Sequence, residues 1–202
     1  MSASLDAVVF DLGGVVLDWD PVHLYRRLID DEAELDHFLS TVCTREWHVQ
    51  HDAGRPMSET IPELCERHPE HAELISMWRA RYVDMVAGLV PGTVALLDEL
   101  APRVRLLALT NMPADVVDDL RAGFPVLDTF EGMVVSGVEQ VVKPDPAIFE
   151  LLASRHDLDP SRTLFVDDLQ ENVDGARACG FHAALFRSAE ELRHDLGRFG
   201  LP

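Results

Sequence analysis

Asp11 is the carboxylate in this sequence whose setting is best suited to chemistry. It follows the apolar residues 7–10 and precedes Gly13 and Gly14. Glycine lets the backbone turn sharply and brings its N–H groups close to an anion. An aspartate at the end of a strand is as often a loop residue or a helix cap, so Asp11 alone does not indicate a function.

Three later apolar runs also end in side chains that suit an anion or a metal ion. Thr110 and Asn111 offer a hydroxyl and backbone N–H groups at a predicted strand-to-helix junction, where anions bind. Lys143 precedes a proline, which holds the lysine backbone extended and helps to aim its side chain. Asp167 and Asp168 are adjacent acids, and like charges raise each other's pKa unless a cation lies between them. A hard cation such as Mg²⁺ is the economical explanation for this pair.

Five short apolar runs, bounded by Gly, Pro, Asp or Asn, predict the strands that carry these side chains. They show little apolar–polar alternation, which is typical of strands buried on both faces of a parallel sheet. Helical patterns lie between the later runs, so the predicted class is α/β, a Rossmann-like parallel sheet with helices on both faces. In such sheets ligands bind beyond the carboxyl ends of the strands. The runs are residues 7–10, 104–109, 132–135, 164–166 and 183–186.

Residues 18–88 interrupt this alternation and read as helices throughout. An insertion that leaves from the carboxyl end of the first strand would lie over the ligand crevice as a lid. The predicted domains are therefore a Rossmann-like catalytic core, residues 1–17 and 89–202, and a helical cap, residues 18–88. The predicted cap helices are residues 24–29, 33–42, 45–51, 58–67 and 71–86.

Composition limits the classes of partner. A chain of 202 residues that is 47% hydrophobic can bury a sizeable core. Its net charge of −19 and its pI near 4.6 oppose any general attraction to nucleic-acid backbones. Three widely spaced cysteines fit reduced thiols, and no apolar run reaches the ~20 residues that a membrane helix needs. We therefore predict a cytoplasmic monomer or homodimer that binds neither nucleic acid nor membranes.

Taken in chain order, the polar strand ends resemble the four motifs of the haloacid dehalogenase superfamily, with a helical cap inserted after the first strand. The resemblance spans essentially the whole chain. It is closest to the branch that contains small sugar-phosphate phosphatases and 2-haloacid dehalogenases. The matching residues are Asp11 in an Asp-x-Gly-Gly-Val context, Thr110-Asn111, Lys143-Pro144, and Asp167-Asp168 followed by Asn172.

The resemblance implies a magnesium-dependent hydrolase of small phosphorylated substrates, sugar phosphates among them. Asp11 would attack phosphorus in line and form an aspartyl phosphate, which water then hydrolyses. Mg²⁺ would be held by the Asp11 carboxylate, the Gly13 carbonyl and Asp168. Asp167 would ligate the ion directly or through water, and the ion would offset the repulsion between two anions.

The resemblance also implies which residues bind the substrate. Thr110 and the Asn111 amide would bind the phosphoryl oxygens, and Lys143 would neutralise charge on the nucleophile and the phosphate. Leu12 and Gly13 belong to the same substrate-binding set. Besides the nucleophile, Thr110 and Lys143 would thus be catalytic residues.

Gly13 is a departure from the family's usual pattern. Most phosphatases of the family carry there a second aspartate, which protonates the leaving group, a contribution typically worth ~10²–10⁴-fold. Three explanations stay open. The leaving group is a good one, such as an anomeric or aryl phosphate; another acid such as Asp18 or Asp20 stands in; or the protein is not a phosphatase. Asp20 precedes Pro21, however, which is more typical of a helix N-cap.

Two other functions compete with this interpretation. In a 2-haloacid dehalogenase, Asp11 would displace halide from carbon without a metal, and Arg45 of the cap could bind a substrate carboxylate. The acidic pair argues against it, because two adjacent carboxylates beside an anionic substrate would hinder a metal-free reaction. A non-catalytic binding or regulatory module is the other alternative, and the complete set of motif residues counts against it.

The cap also offers aromatic and histidine side chains that could set specificity. Such groups on helices more often pack or face solvent than contact a ligand, so none is assigned a role. His48 and His51 stand three residues apart, but no other metal ligand accompanies them, so we interpret them as incidental. The candidates are Trp47, His48, His51, Trp78 and Tyr82.

Overall fold

A five-stranded parallel sheet lies at the centre of the computed structural model, which describes residues 4–202. Its strands are β1 (Ala7–Phe10), β4 (Arg105–Thr110), β5 (Gly132–Val135), β6 (Thr163–Asp167) and β7 (His182–Leu185); β2 (Leu17–Trp19) and β3 (Val86–Leu89) form a separate pair. The strand order in the sheet is β5-β4-β1-β6-β7, so β1 pairs with β4 on one side and with β6 on the other.

The predicted α/β class is confirmed, since each of the five apolar runs forms a strand of the parallel sheet. The predicted strand ends agree to within about one residue. In β1, Val8 and Phe10 pack into one hydrophobic core while Ala7 and Val9 pack into the other. Because both faces of the strand are buried, the sequence shows no polar alternation there.

Helices cover both faces of the sheet. The helices, in chain order, are α1 (Pro21–Tyr25), α2 (Glu32–His37), α3 (Arg45–Asp52), α4 (Met57–Arg67), α5 (Ala72–Ala80), α6 (Thr93–Leu100), α7 (Val117–Gly123), α8 (Ser136–Glu139), α9 (Pro146–His156), α10 (Gln170–Ala178) and α11 (Ala189–Gly197). Ile148 and Phe149 of α9 pack into the core that contains Ala7 and Val9, whereas Leu96 of α6 packs into the opposite core.

The expectation that residues 18–88 are helical throughout is wrong at both ends. β2 and β3 pair there as a short antiparallel ribbon, with Leu17 opposite Leu89 and Trp19 opposite Val86. The predicted helix 71–86 ends at Ala80, and a 3-10 turn, Tyr82–Met85, leads into β3. Strands this short carry too few residues for a period-two pattern, and their partners lie far apart in sequence. The predicted domain boundaries, 17/18 and 88/89, fall within this ribbon.

The predicted helix 33–42 is divided. Its first part is α2, and its second part, Phe38–Val42, is a π-helix. Aromatic packing closes the cap around this segment, because the Tyr25 and Phe38 rings lie 4.8 Å apart. Trp47 and Trp78 meet edge to face at 5.2 Å. Such aromatic contacts stabilise the packing of these helices.

The end of α3 and the start of α4 attach the cap to the core. The Met57 backbone N–H donates to Asp115 Oδ2 at 2.9 Å. Gly54 has a φ of 96° and approaches Gly137 and Gln140 of the core so closely that a Cβ atom there would lie 2.7 Å from Gln140 Cγ. The turn after α3 therefore has a fixed position relative to the sheet.

Every helix within residues 4–202 is too short or too polar to cross a membrane. Cys43, Cys65 and Cys179 are free thiols.

Candidate active site

Three neighbouring strands end at one edge of the sheet and bring the predicted site residues together. Thr110 and Asp167 are the last residues of β4 and β6, and Asp11 directly follows β1 between them. Lys143 reaches the same place from the loop after α8. All four of these residues are buried.

Lys143 lies between two carboxylates. Its Nζ is 2.9 Å from Asp11 Oδ1 and donates to Asp167 Oδ2 at 2.7 Å and to the Leu109 carbonyl at 3.1 Å. Burial lowers the pKa of an ammonium group, but Asp11 and Asp167 outweigh that effect and raise the pKa of Lys143. The lysine is therefore a fixed positive charge beside the candidate nucleophile.

The electrostatic setting of Asp11 calls for more positive charge than the lysine supplies. Burial raises the pKa of Asp11, the Lys143 ammonium opposes the rise, and the Asp167 carboxylate adds to it. Asp11 Oδ1 also accepts the Leu12 backbone N–H at 2.7 Å. Leu12, expected to bind substrate, thus directs its N–H to the nucleophile, because the chain turns immediately after Asp11.

Asp167 is held by three donors. Oδ2 accepts from Lys143, and Oδ1 accepts from the Leu169 backbone N–H and from Asn172 Nδ2, both at 2.9 Å. Asn172 thereby fixes the acidic loop. With both oxygens occupied in this way, Asp167 is better placed to orient Lys143 and to act on an ion through water than to ligate it directly.

The Asn111 side chain positions the lysine. Its Oδ1 accepts the Lys143 backbone N–H at 2.8 Å, and its Nδ2 donates to the Lys143 carbonyl at 3.1 Å. Both ends of the side-chain amide are therefore engaged. Any contact of Asn111 with a phosphoryl group is therefore made by its backbone. Thr110 is also buried, and it lines the cavity.

Asp11, Asp167 and Asp168 form a cluster that fits a divalent cation. One carboxylate oxygen from each lies within 4.8 Å of the others. Burial and the neighbouring Asp167 raise the pKa of Asp168, so a cation would relieve this repulsion. Oxygen ligands are those that Mg²⁺ prefers. Gly13, whose carbonyl is the fourth expected ligand, lines the same cavity.

Gly14 provides the space for the Asp168 carboxylate. Its φ is 71°, and a Cβ atom there would overlap Asp168 Oδ2. The second glycine of the motif is therefore required by close approach as well as by backbone conformation. The sequence pointed to backbone N–H groups near an anion; the contact with Asp168 depends on a loop from the other end of the chain.

We expect Gly14→Ala to weaken Mg²⁺ binding by about 10–100-fold, because the alanine methyl group displaces a metal ligand. The half-saturating Mg²⁺ concentration for activity measures this effect. Gly180→Ala is the matched control: Gly180 has a φ of 88°, but its Cβ would meet only Pro160 at 3.7 Å. Equal Mg²⁺ dependence of the two variants would contradict the assignment of Asp168.

Asp18 and Asp20 are occupied elsewhere. Asp20 Oδ1 accepts the Val22 backbone N–H at 2.8 Å and caps α1, as its position before Pro21 indicated. Asp18 Oδ1 lies 3.2 Å from His23 Nε2. Of the two, Asp20 lines the cavity and Asp18 does not, in the part of the chain that the structure describes.

A cavity of about 580 Å³ separates the cap from the strand ends. Asp11, Thr110, Lys143 and Asp168 form its floor, and the cap supplies mainly aromatic and apolar side chains. Arg45 lies at its edge, is mostly exposed and stands 3.9 Å from Glu171. The aromatic, histidine and acidic residues that line the cavity from this side include Trp19, His48, Asp52, Trp78 and Tyr82.

Asp52 is a site residue that sequence reasoning missed. It is the last residue of α3, it is 7% exposed, and burial raises its pKa to about 7. His48 Nε2 is 3.7 Å from Asp52 Oδ1, and burial lowers the pKa of His48 to about 3. His48 was interpreted as incidental, yet it lies in the cavity wall. One acid in a mostly polar helix carries no periodic signal that distinguishes it from a solvated one.

The fold and the site together define a Rossmann-like α/β protein in which the candidate nucleophile is an aspartate. Residues 5–180 match the haloacid dehalogenase-like hydrolase family, and the chain belongs to that family. The resemblance of the sequence motifs is thereby confirmed, and the protein is an enzyme of the hydrolase class.

Curated and solved relatives span nearly the whole chain. The chain is 30% identical over 186 residues to a sesquiterpene phosphatase of Aspergillus oryzae, covering 89% of each. It is 25% identical over 202 residues to the D-ribitol-5-phosphate phosphatase of Bacteroides thetaiotaomicron, covering 94% of this chain and 95% of the relative. A haloacid dehalogenase family enzyme of Bacteroides thetaiotaomicron, an aspartate-to-alanine mutant complexed with magnesium and inorganic phosphate, has the same fold. Its TM-score is 0.75 at 19% identity, with 95% of this chain and 98% of that one covered.

Proposed function

We propose that this protein is a magnesium-dependent phosphatase of small phosphate esters that works through an aspartyl phosphate on Asp11. The observation that carries the proposal is the position of Lys143 Nζ, 2.9 Å from Asp11 and 2.7 Å from Asp167, beside the three-carboxylate cluster. A buried carboxylate with a cation on one side and a cation site on the other suits in-line attack on an anionic phosphoryl group.

Each residue at the cavity floor has a distinct task in this proposal. Asp11 attacks phosphorus, and Lys143 opposes the burial-driven rise in the pKa of Asp11 while neutralising charge on the phosphoryl group. The Thr110 hydroxyl donates to a phosphoryl oxygen. Mg²⁺ held by Asp11, Asp168 and the Gly13 carbonyl would supply electrostatic stabilisation of the transferred phosphoryl group. Asn111 and Asn172 keep Lys143 and Asp167 in place.

The relatives support the phosphoryl class of substrate. Two of them are phosphatases that match this chain along nearly its whole length, and the solved structure of the same fold contains magnesium and inorganic phosphate. One phosphatase acts on a sesquiterpene substrate and the other on a sugar-alcohol phosphate. The proposal therefore covers small phosphorylated metabolites, sugar phosphates included. A cytoplasmic location and a cap formed by residues 18–88 belong to the same proposal.

A 2-haloacid dehalogenase is the competing function, because Gly13 is compatible with it. The carboxylate cluster weighs against this alternative, since a metal-free reaction would place an anionic substrate beside Asp167 and Asp168 with Lys143 as the cation at the floor. Arg45, the residue considered for a substrate carboxylate, is mostly exposed and lies near Glu171.

Chelation of the metal is expected to abolish phosphate release, because repulsion within the carboxylate cluster would return. The assay is release of phosphate from para-nitrophenyl phosphate and from a panel of sugar phosphates, in Mg²⁺ and in EDTA. Halide release from 2-chloropropionate is measured in parallel. Restoration by added Mg²⁺ is the control for chelator damage. Metal-independent halide release without phosphate release would overturn the proposal and favour the dehalogenase.

A further inference from the structure

The proposed phosphatase lacks a proton donor at the floor of its cavity. Gly13 supplies no side chain, although a Cβ atom there would meet nothing within 4 Å. An alkoxide is a poor leaving group, so phosphate esters of ordinary alcohols react slowly unless an acid protonates the departing oxygen. Asp18 is paired with His23 and does not line the cavity within the described residues, and Asp20 is an exposed residue whose Oδ1 caps α1, so both are less suited to that task than a buried acid.

Asp52 offers a carboxyl group in the wall of the same cavity. Its side chain is nine-tenths buried, and its Oδ1 has no hydrogen-bond partner within residues 4–202. A buried polar atom without a hydrogen-bond partner is rare in folded proteins, because its burial is unfavourable. Asp52 lines the same cavity as Asp11, and no group within the described residues holds its Oδ1 in a hydrogen bond.

The groups that face Asp52 favour its neutral, proton-carrying form. Burial raises the pKa of Asp52, the charge of Asp11 adds to the rise, and Lys143 opposes it. On its own helix the neighbour is His48, which burial keeps neutral, so it does not stabilise a carboxylate. Tyr82, from the 3-10 turn before β3, lines the same cavity, and burial together with a smaller contribution from Asp52 raises the pKa of its phenol. The surroundings of Asp52 thus favour the neutral carboxylic acid more than solvent does for an exposed aspartate.

The position of Asp52 relative to Asp11 is fixed by the attachment of the cap. Two residues after Asp52, Gly54 approaches Gly137 and Gln140 of the core, and Met57 N–H donates to Asp115 of the core at 2.9 Å. The charges of Asp11 and Lys143 both act on the Asp52 carboxyl group. Asp11 and Asp52 line the same cavity, so a substrate whose phosphate is at the cavity floor has Asp52 in the wall around it.

We propose that Asp52 is the general acid and base of this enzyme, a role that rests on the proposed phosphatase function. As Asp11 forms its bond to phosphorus, the bond to the leaving oxygen breaks, and that oxygen takes the Asp52 proton and departs as an alcohol. The Asp52 carboxylate then accepts a proton from the water that attacks the aspartyl phosphate. Hydrolysis releases inorganic phosphate, restores the Asp11 carboxylate and returns Asp52 to its protonated form.

The test is the dependence of kcat/KM on leaving-group basicity for a series of aryl and alkyl phosphates in Mg²⁺. The wild-type dependence is expected to be shallow. In Asp52→Asn, alkyl phosphates should lose about 10²–10⁴-fold. Para-nitrophenyl phosphate, which needs little protonation, should lose less than about tenfold. Asp52→Glu keeps a carboxylic acid and should retain more alkyl phosphatase activity than Asp52→Asn. Asp18→Asn, outside the cavity, should behave as wild type.

The outcomes separate the two proposals. A wild-type enzyme without Mg²⁺-dependent phosphate release from any ester overturns the proposed function, and the role of Asp52 with it. An active wild type with a steep leaving-group dependence overturns Asp52 alone, and this result does not depend on folding of any variant. An equal loss on aryl and alkyl phosphates in Asp52→Asn also overturns it, provided that the variant retains wild-type inhibition by orthovanadate.

Discussion

Asp11→Asn is expected to reduce phosphate release by about 10⁴-fold or more, because the neutral amide cannot attack phosphorus. The variant should keep its fold, since asparagine has nearly the same shape and Lys143 retains its hydrogen bonds to Asp167 and the Leu109 carbonyl. The measurements are steady-state phosphate release, detection of the acid-trapped phosphoenzyme, and the melting temperature.

Asp18→Asn is the matched control for this loss, because it makes the same chemical change on an exposed residue outside the cavity. Wild-type protein incubated with substrate should yield a phosphorylated Asp11 peptide, and Asp11→Asn should not. An Asp11→Asn enzyme with more than a small fraction of wild-type turnover would show that another group is the nucleophile.

Lys143→Met is expected to lower both activity and stability. Removing a cation that stabilises the transferred phosphoryl group costs about 10²–10³-fold in kcat. Breaking a buried ion pair on one side costs about 3–5 kcal/mol of unfolding free energy, because Asp11 and Asp167 are left as uncompensated charges. Chemical denaturation and the melting temperature measure the second effect.

A double variant separates the two contributions of the lysine. Asp11→Asn combined with Lys143→Met removes one of the two stranded carboxylates, so it should be more stable than Lys143→Met alone. Lys143 is the only lysine of the chain, so its ammonium gives one signal in protein labelled with ¹⁵N-lysine. Loss of that signal in Lys143→Met verifies the assignment. Strict additivity of the two stability changes would contradict the ion pair.

The core of this fold was predictable because its strands are buried on both faces. Residues 7–10 and 164–166 contain nothing but apolar side chains, and such runs leave few alternatives to a central parallel strand. The order of the polar residues that follow them along the sheet edge was therefore predictable from the sequence. The motif order also led to the family, which the match of residues 5–180 confirms.

Other features depended on contacts that no local pattern contains. β2 and β3 are three and four residues long, and each is a strand only because the other is its partner. The role of Asn111 also depends on a distant contact, because its side chain binds the backbone of Lys143, 32 residues away. Asp52 resembled any acid at the end of a polar helix, and only burial against the core distinguishes it.

The β2–β3 ribbon has a consequence for how enzymes of this shape can change. The chain leaves the core through β2 and returns through β3, and the two strands are hydrogen-bonded neighbours. The segment between β2 and β3 is therefore equivalent to a surface loop whose two ends are held together by the strand pair. The entropy of closing such a loop grows only slowly with its length. The ribbon is thus a point at which a longer, shorter or unrelated segment can be exchanged by recombination while the part of the chain that forms the parallel sheet keeps its sequence.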